Sequence, residues 1–140
     1  MIKKIAVLYG GSSSERQISL QSGQGVHKAI KELGYESDLI DFINITNLNE
    51  LKIYDFVFIA LHGFEGEGGK LQKNLDDLNI LYSGSRANAC RNTWNKRVTK
   101  EILKKNNITT PLWLEAKLNK QIVEDAVSYT HLTLPTNREV

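Results

Sequence analysis

The chain has 140 residues, 41% of them hydrophobic and 24% charged, with a formal net charge of +2. That length suits one domain with a real core, burying roughly 68–70% of the surface an unfolded chain exposes. The charge is too small to argue for nucleic acid or a membrane surface as partner, and a lone cysteine, Cys90, excludes an intramolecular disulfide and fits a reducing compartment.

After Met1-Ile2-Lys3-Lys4 comes an apolar run of only about five residues, too short for a signal peptide or a membrane span. The expected location is therefore the cytoplasm. The run itself, Ile5–Tyr9, predicts a first strand. It breaks into Gly10-Gly11-Ser12-Ser13-Ser14-Glu15-Arg16, where the glycines let the backbone turn sharply and lie open to a ligand. A helix is predicted from somewhere in 14–19 to Leu33, with Ile18, Ser22, Val26, Ala29, Ile30 and Leu33 on one face. Gly34 is its natural left-handed cap. Gly23 and Gly25 lie inside this helix at a cost of about 1 kcal/mol each against alanine, which close approach of the helix to the sheet would offset.

Asp38–Phe42 predicts a second strand and Asp55–Leu61 a third, buried on both faces. A second glycine-rich loop follows, His62-Gly63-Phe64-Glu65-Gly66-Glu67-Gly68-Gly69. Next come a short helix, Lys70–Leu78, and a brief strand near Ile80–Tyr82. A long helix is predicted over Arg86–Lys105, with Ala87, Cys90, Trp94, Val98 and Ile102 as its apolar stripe. Pro111 opens an extended segment, Leu112–Ala116, and Lys120–Val127 reads as another helix. Residues 128–140 lose the alternation and read as a frayed or foreign tail. Strands alternating with helices give an α/β class with a parallel sheet covered by helices.

In such sheets ligands bind at the carboxyl ends of the strands. Both glycine loops follow apolar strands, and each carries an ionisable residue, Glu15 or His62. Neither is a phosphate loop. Gly69-Lys70 has Phe64 where the Walker pattern needs glycine and Leu71 where it needs Ser or Thr, and Gly23-Gln24-Gly25 falls mid-helix. A carboxylate about 4 Å from a phosphate charge costs roughly 4 kcal/mol at an effective dielectric of 20. Glu15 therefore suits an ammonium, and His62 as imidazolium suits a carboxylate, so the pair suits an amino acid. The basic run Lys96, Arg97, Lys100, Lys104 and Lys105 reads as a solvated helix face. From the residues alone, a stand-alone module for a small zwitterion and a purely structural domain with two tight turns both stay open.

The blocks Ile5 through Gly23 and Val57-Phe58-Ile59-Ala60-Leu61-His62-Gly63 resemble the amino-terminal domain of the D-alanine–D-alanine ligases, in the ATP-grasp superfamily. The likeness continues through Gly66-Glu67, Gly69, Leu71-Gln72 and Tyr82-Ser83-Gly84-Ser85, covering about residues 3–118. It implies a three-layer, Rossmann-like pre-ATP-grasp domain over 1–118, the start of a following segment over 119–127 and a non-native or disordered tail over 128–140. It further implies an ATP-dependent ligase that joins two D-alanines for peptidoglycan. Glu15 would hold the ammonium of the first D-alanine, as the catalytic residue. Gly10, Gly11, Ser12, His62 and Gly63 would line that substrate. Lys96 matches the lysine of the family's Met-Asp-Lys stretch, with Trp94 and Asn95 in place of Met and Asp, and would reach ATP phosphates. No metal ligand is assigned, since ATP and Mg2+ would be held chiefly by parts of the family's fold that this chain lacks. Family members are more than twice this long, so the expectation is an amino-terminal portion, inactive by itself. The likeness also implies a possible homodimer, and leaves room for a sister ligase making another D-alanyl product.

Overall fold

The computed structural model describes residues 2–113. The chain divides into two compact units, Met1–Ile102 and Leu103–Val140. In the first, β1 (Lys4–Tyr9) is the centre of a three-stranded parallel sheet, flanked by β2 (Glu36–Asp41) and β3 (Phe56–Ile59) in the order β2-β1-β3. Val7 sits opposite Leu39 on one side and Phe58 on the other. Because β1 is paired on both edges and covered on both faces, Ile5, Ala6, Val7 and Leu8 are all buried, as a parallel strand should be.

Alternation along β1 sends its side chains to two layers. Ala6 and Leu8 join Leu51, Val57, Leu61, Leu71, Leu75 and Ile80 in the main core. On the opposite face α1 (Arg16–Glu32) packs against β1 and β2. The predicted stripe of α1 is only partly the face that meets the sheet: Ser22, Val26 and Ile30 are half-buried, but Ala29 is exposed. Ser19 and Gly23 are buried, whereas Ile18 is 52% and Leu33 75% exposed. Small residues win here because the helix lies so close: a Cβ on Gly23 would come within 2.9 Å of Tyr9 Cγ and Cδ2. The expected close approach holds for Gly23 but not for Gly25, whose Cβ position is open.

β2 starts and ends earlier than expected. Phe42 opens a 3-10 turn, Phe42–Asn44, because the Asp41 side chain accepts from the Ile43 amide. A second 3-10 turn, Leu48–Ile53, plants Leu51 in the core. β3 is buried at Val57 and half-buried at Phe56, Phe58 and Ile59, rather than fully buried on both faces. The strand expected near Ile80–Tyr82 is a single parallel bridge, Val57 to Tyr82.

The second glycine loop contains a helical turn, α2 (Phe64–Glu67), that its composition did not announce, followed by α3 (Lys70–Asp77). The long helix expected over Arg86–Lys105 is two, α4 (Ala87–Trp94) and α5 (Lys96–Lys105). Asn95 between them is extended, and its side-chain oxygen accepts from the Val98 amide, the geometry of an N-cap. The break removes the expected stripe. Ala87 is buried, but Trp94 is 42% exposed and meets the Phe64 ring edge-on at 5.5 Å. In the second unit the described residues run to Trp113, and the Ile108 amide closes the turn onto the Leu103 carbonyl. The helix expected at Lys120–Val127, most of the segment Leu112–Ala116 and the tail 128–140 lie outside the described residues.

Candidate functional site

The two glycine loops meet at the carboxyl edge of the sheet, as their positions after β1 and β3 require. Ser19, fully buried on α1, joins them from beneath: its hydroxyl accepts from the Gly10 amide at 2.9 Å and donates to the Ala60 carbonyl at 2.7 Å. From above, the Ser13 hydroxyl donates to the His62 carbonyl and accepts from the Glu15 amide, both at 3.2 Å. On the far side, Gln72 of α3 holds the second loop by donating to the Gly66 carbonyl at 2.5 Å.

Gly10 and Gly11 both sit at φ +74°, a backbone that side chains rarely tolerate. At Gly10 a Cβ would collide with the Asp41 carboxylate. Asp41, at the end of β2, accepts from the Gly11 amide at 3.2 Å and from Arg16 at 2.9 and 2.5 Å. Arg16 also donates to the Gly11 carbonyl at 2.8 Å. The Arg16 guanidinium holds the Asp41 carboxyl below the usual carboxylate range, helped by the Gly11 amide and opposed by burial. The same hydrogen bond raises Arg16. Arg16 is thus committed to the loop itself and does not offer its charge to a ligand.

Glu65, from α2, closes the first loop over Gly11. It accepts from the Ser12 amide at 2.8 Å and from the Ser12 hydroxyl at 2.7 Å. The amides of Gly10, Gly11, Ser12, Glu15 and Arg16 are therefore all engaged within the protein. A phosphate would find them taken.

Glu15 stands differently. It is exposed at the N-cap of α1 and its carboxylate makes no cap hydrogen bond. A Cβ on Gly63 would lie 3.2 Å from its Oε2, so the Glu15 carboxylate reaches the second loop directly over Gly63. His62, half-buried, places Nε2 3.3 Å from the Ser22 hydroxyl of α1. The structure thus brings together Gly10, Gly11, Ser12, Glu15, His62 and Gly63. Lys96 is elsewhere in the fold, exposed at the first position of α5, and no hydrogen bond or ion pair among the described residues ties it to the loops.

Sequence reasoning missed Ser19, Asp41 and Glu65. Asp41 carried a signal, an acid at the carboxyl end of a strand beside the ligand edge. Glu65 carried one too, as a second acid within a glycine-rich loop. The result is an acceptor-rich edge with one unengaged carboxylate. An ammonium about 4 Å from Glu15 gains roughly 4 kcal/mol of Coulomb energy at an effective dielectric of 20, before desolvation.

ATP and Mg2+ fit these residues poorly. The amides of Gly10, Gly11, Ser12, Glu15 and Arg16 are engaged within the protein, and no group of three or more metal-ligating side chains occurs among the described residues. Lys96 is exposed and is the residue that the family resemblance matches to a phosphate.

No protein-family model matches the chain. Among curated proteins it is 42% identical over 114 residues to the D-alanine–D-alanine ligase of Bordetella avium, covering 80% of this chain and 36% of that protein. It is 46% identical over 113 residues to the D-alanine–D-alanine ligase of Moorella thermoacetica, covering 79% and 36%. Among solved structures, the D-alanine–D-alanine ligase of Bacillus anthracis in complex with ATP superposes with a TM-score of 0.75 at 33% identity, over 88% of this chain and 44% of that one. The D-alanyl-alanine synthetase A of Vibrio cholerae, at 24% identity and a TM-score of 0.75, shows the same fold. The chain spans about two fifths of the length of the curated relatives it matches.

Proposed function

We propose that this chain, which resembles the amino-terminal part of D-alanine–D-alanine ligases, forms the first-substrate wall of such an enzyme. The reaction is the ATP-dependent joining of two D-alanines for a peptidoglycan precursor, in the cytoplasm. One observation carries the reading: Glu15 is the carboxylate left unengaged where the two loops meet, while the neighbouring Asp41 and Glu65 are spent on the loop.

In this reading Glu15 takes the ammonium of the first D-alanine. Holding that amine as an ammonium removes its lone pair from the reaction, so only the second D-alanine can act as nucleophile. Gly63 is needed because a side chain there would crowd Glu15 Oε2 at 3.2 Å. His62 lies beside the same substrate, its ring held by Ser22. Gly10, Gly11 and Ser12 form the floor. ATP with Mg2+ would supply the activation of the carboxylate, and Lys96 is the described residue that the family resemblance assigns to the ATP phosphates. Among the described residues no helix is long and apolar enough to cross a membrane, which agrees with a reaction on soluble metabolites.

The test is a titration of this chain with D-alanine, followed in its amide spectrum, with D-lactate as the partner lacking the amine. The expected result is weak, saturable shifts at Glu15 and Gly63 with D-alanine, none with D-lactate, and their loss in Glu15→Gln. Equal shifts with D-lactate would contradict the amine role. Micromolar affinity for D-alanine would favour a stand-alone zwitterion-binding module, because one wall of a shared site binds poorly.

A further inference from the structure

Consecutive backbone amides in a left-handed turn make a concavity that attracts anions. Gly10 and Gly11 both sit at φ +74°, and the successive amides of Gly11 and Ser12 each donate to a carboxylate. In this chain the anions are internal. Asp41 fills the Gly11 amide, and its charge is neutralised by the two-pronged contact with Arg16. Glu65 fills the Ser12 amide and hydroxyl. Its carboxylate also lies directly over Gly11, where a Cβ would collide with Oε2. No lysine, arginine or histidine among the described residues forms an ion pair with Glu65. The two plugs differ accordingly: the Asp41 plug is electrically neutral, and the Glu65 plug leaves a negative charge at the mouth of the loop.

We infer that Glu65 is the specificity-determining residue of this edge, the one that makes a loop with an anion-binding backbone select amines. It acts in two ways. It occupies the two Ser12 donors that a phosphate or carboxylate would otherwise take, and its charge, held in no ion pair among the described residues, adds to that of Glu15 in repelling anions and attracting an ammonium. Glu65 is a positioning residue in this role, since it acts through Ser12 and through its field and need not touch the substrate. The inference extends the amine reading of Glu15, but its anion arm stands apart from that reading.

The experiment uses the 140-residue chain and two variants, Glu65→Ala and Glu65→Gln, with inorganic phosphate and D-alanine as probes and the Ser12 amide as reporter. In the parent chain phosphate should leave the Ser12 amide in place. In Glu65→Ala the freed amide and hydroxyl should give a saturable phosphate-dependent shift. The ratio of D-alanine to phosphate affinity should fall by about tenfold or more, the equivalent of one hydrogen bond to a charged group. Glu65→Gln keeps an acceptor on Ser12 and drops the charge, so its ratio should lie between the other two, and it decides the matter if the alanine variant fails to fold. A purely structural Glu65 would lower the unfolding midpoint without moving this ratio, and that result overturns the inference. So does a phosphate shift at Ser12 in the parent chain as large as in the variants. If phosphate behaves as described and D-alanine binds none of the three, the Glu15 reading fails and the role of Glu65 in excluding anions stands.

Discussion

Replacing Gly23 and Gly25 by alanine, one at a time, sets two opposed energies against each other in the same helix. Alanine gains about 1 kcal/mol over glycine in a helix interior through intrinsic propensity. At Gly25 nothing lies within 4 Å of the new Cβ, so that gain should appear almost whole. At Gly23 the new Cβ meets Tyr9, with Cγ and Cδ2 both at 2.9 Å and the Tyr9 Cβ nearer still. A Cβ sits on the backbone of the central strand and cannot swing aside, so the cost is that of overpacking a tight contact, about 1–3 kcal/mol. Set against that gain, the clash leaves Gly23→Ala less stable than the parent by up to about 2 kcal/mol, and the two variants should differ by the clash itself, about 1–3 kcal/mol. At roughly 2–4 °C per kcal/mol this separates their unfolding midpoints by about 2–12 °C. Urea and thermal unfolding of the three proteins measure it. A Gly23→Ala protein as stable as Gly25→Ala would refute the close approach of α1 to β1, and with it the way Ser19 reaches both strand ends.

Asp41→Asn should destabilise the chain by about 1–3 kcal/mol, towards the low end because Arg16 is about a third exposed and screened by water. The depressed Asp41 carboxyl contributes stability that is present above the ordinary carboxylate range and is lost as pH falls through its lowered value. The acid limb of stability against pH should therefore be shallower in Asp41→Asn than in the parent, and parallel limbs would count against the pair. Tyr54, pushed up to about 12 first by burial and then by its hydrogen bond to Asp38, should ionise well above the ordinary phenol range in an ultraviolet titration of the folded chain. Its raised value means a contribution present below the ordinary phenol range and lost as pH climbs towards 12. Asp38→Asn should bring the value only part of the way back, since burial is the larger cause.

The sheet and its two ligand loops were legible because each depends on local pattern. Short apolar runs gave β1 and β3, and glycine clusters directly after them gave the loops. Glu15 and His62 could be paired in advance because both follow parallel neighbours and so open on one edge. Asp41, Ser19 and Glu65 were not legible as parts of the site, because their roles are hydrogen bonds across 25 to 53 residues of sequence. Such contacts follow from strand register and from how closely α1 approaches the sheet. The α1 stripe was only partly right for the same reason: apolar counting selects large side chains, and the fully buried residues of this helix are Ser19 and Gly23. At Asn95 the helix break was written in the residue type, an N-cap former, but an apolar spacing that ran through it hid the signal.

The central claim is that the Glu15 carboxylate receives the amine of the first D-alanine. Its most direct test is steady-state kinetics of a ligase in which these residues replace the matching part of the Bacillus anthracis enzyme, with and without Glu15→Gln. Loss of a charge-assisted hydrogen bond, about 1.5–3 kcal/mol, should raise the KM for the first D-alanine by about ten- to hundredfold, with the KM for ATP and for the second D-alanine little changed. An unchanged KM for the first D-alanine would contradict the claim.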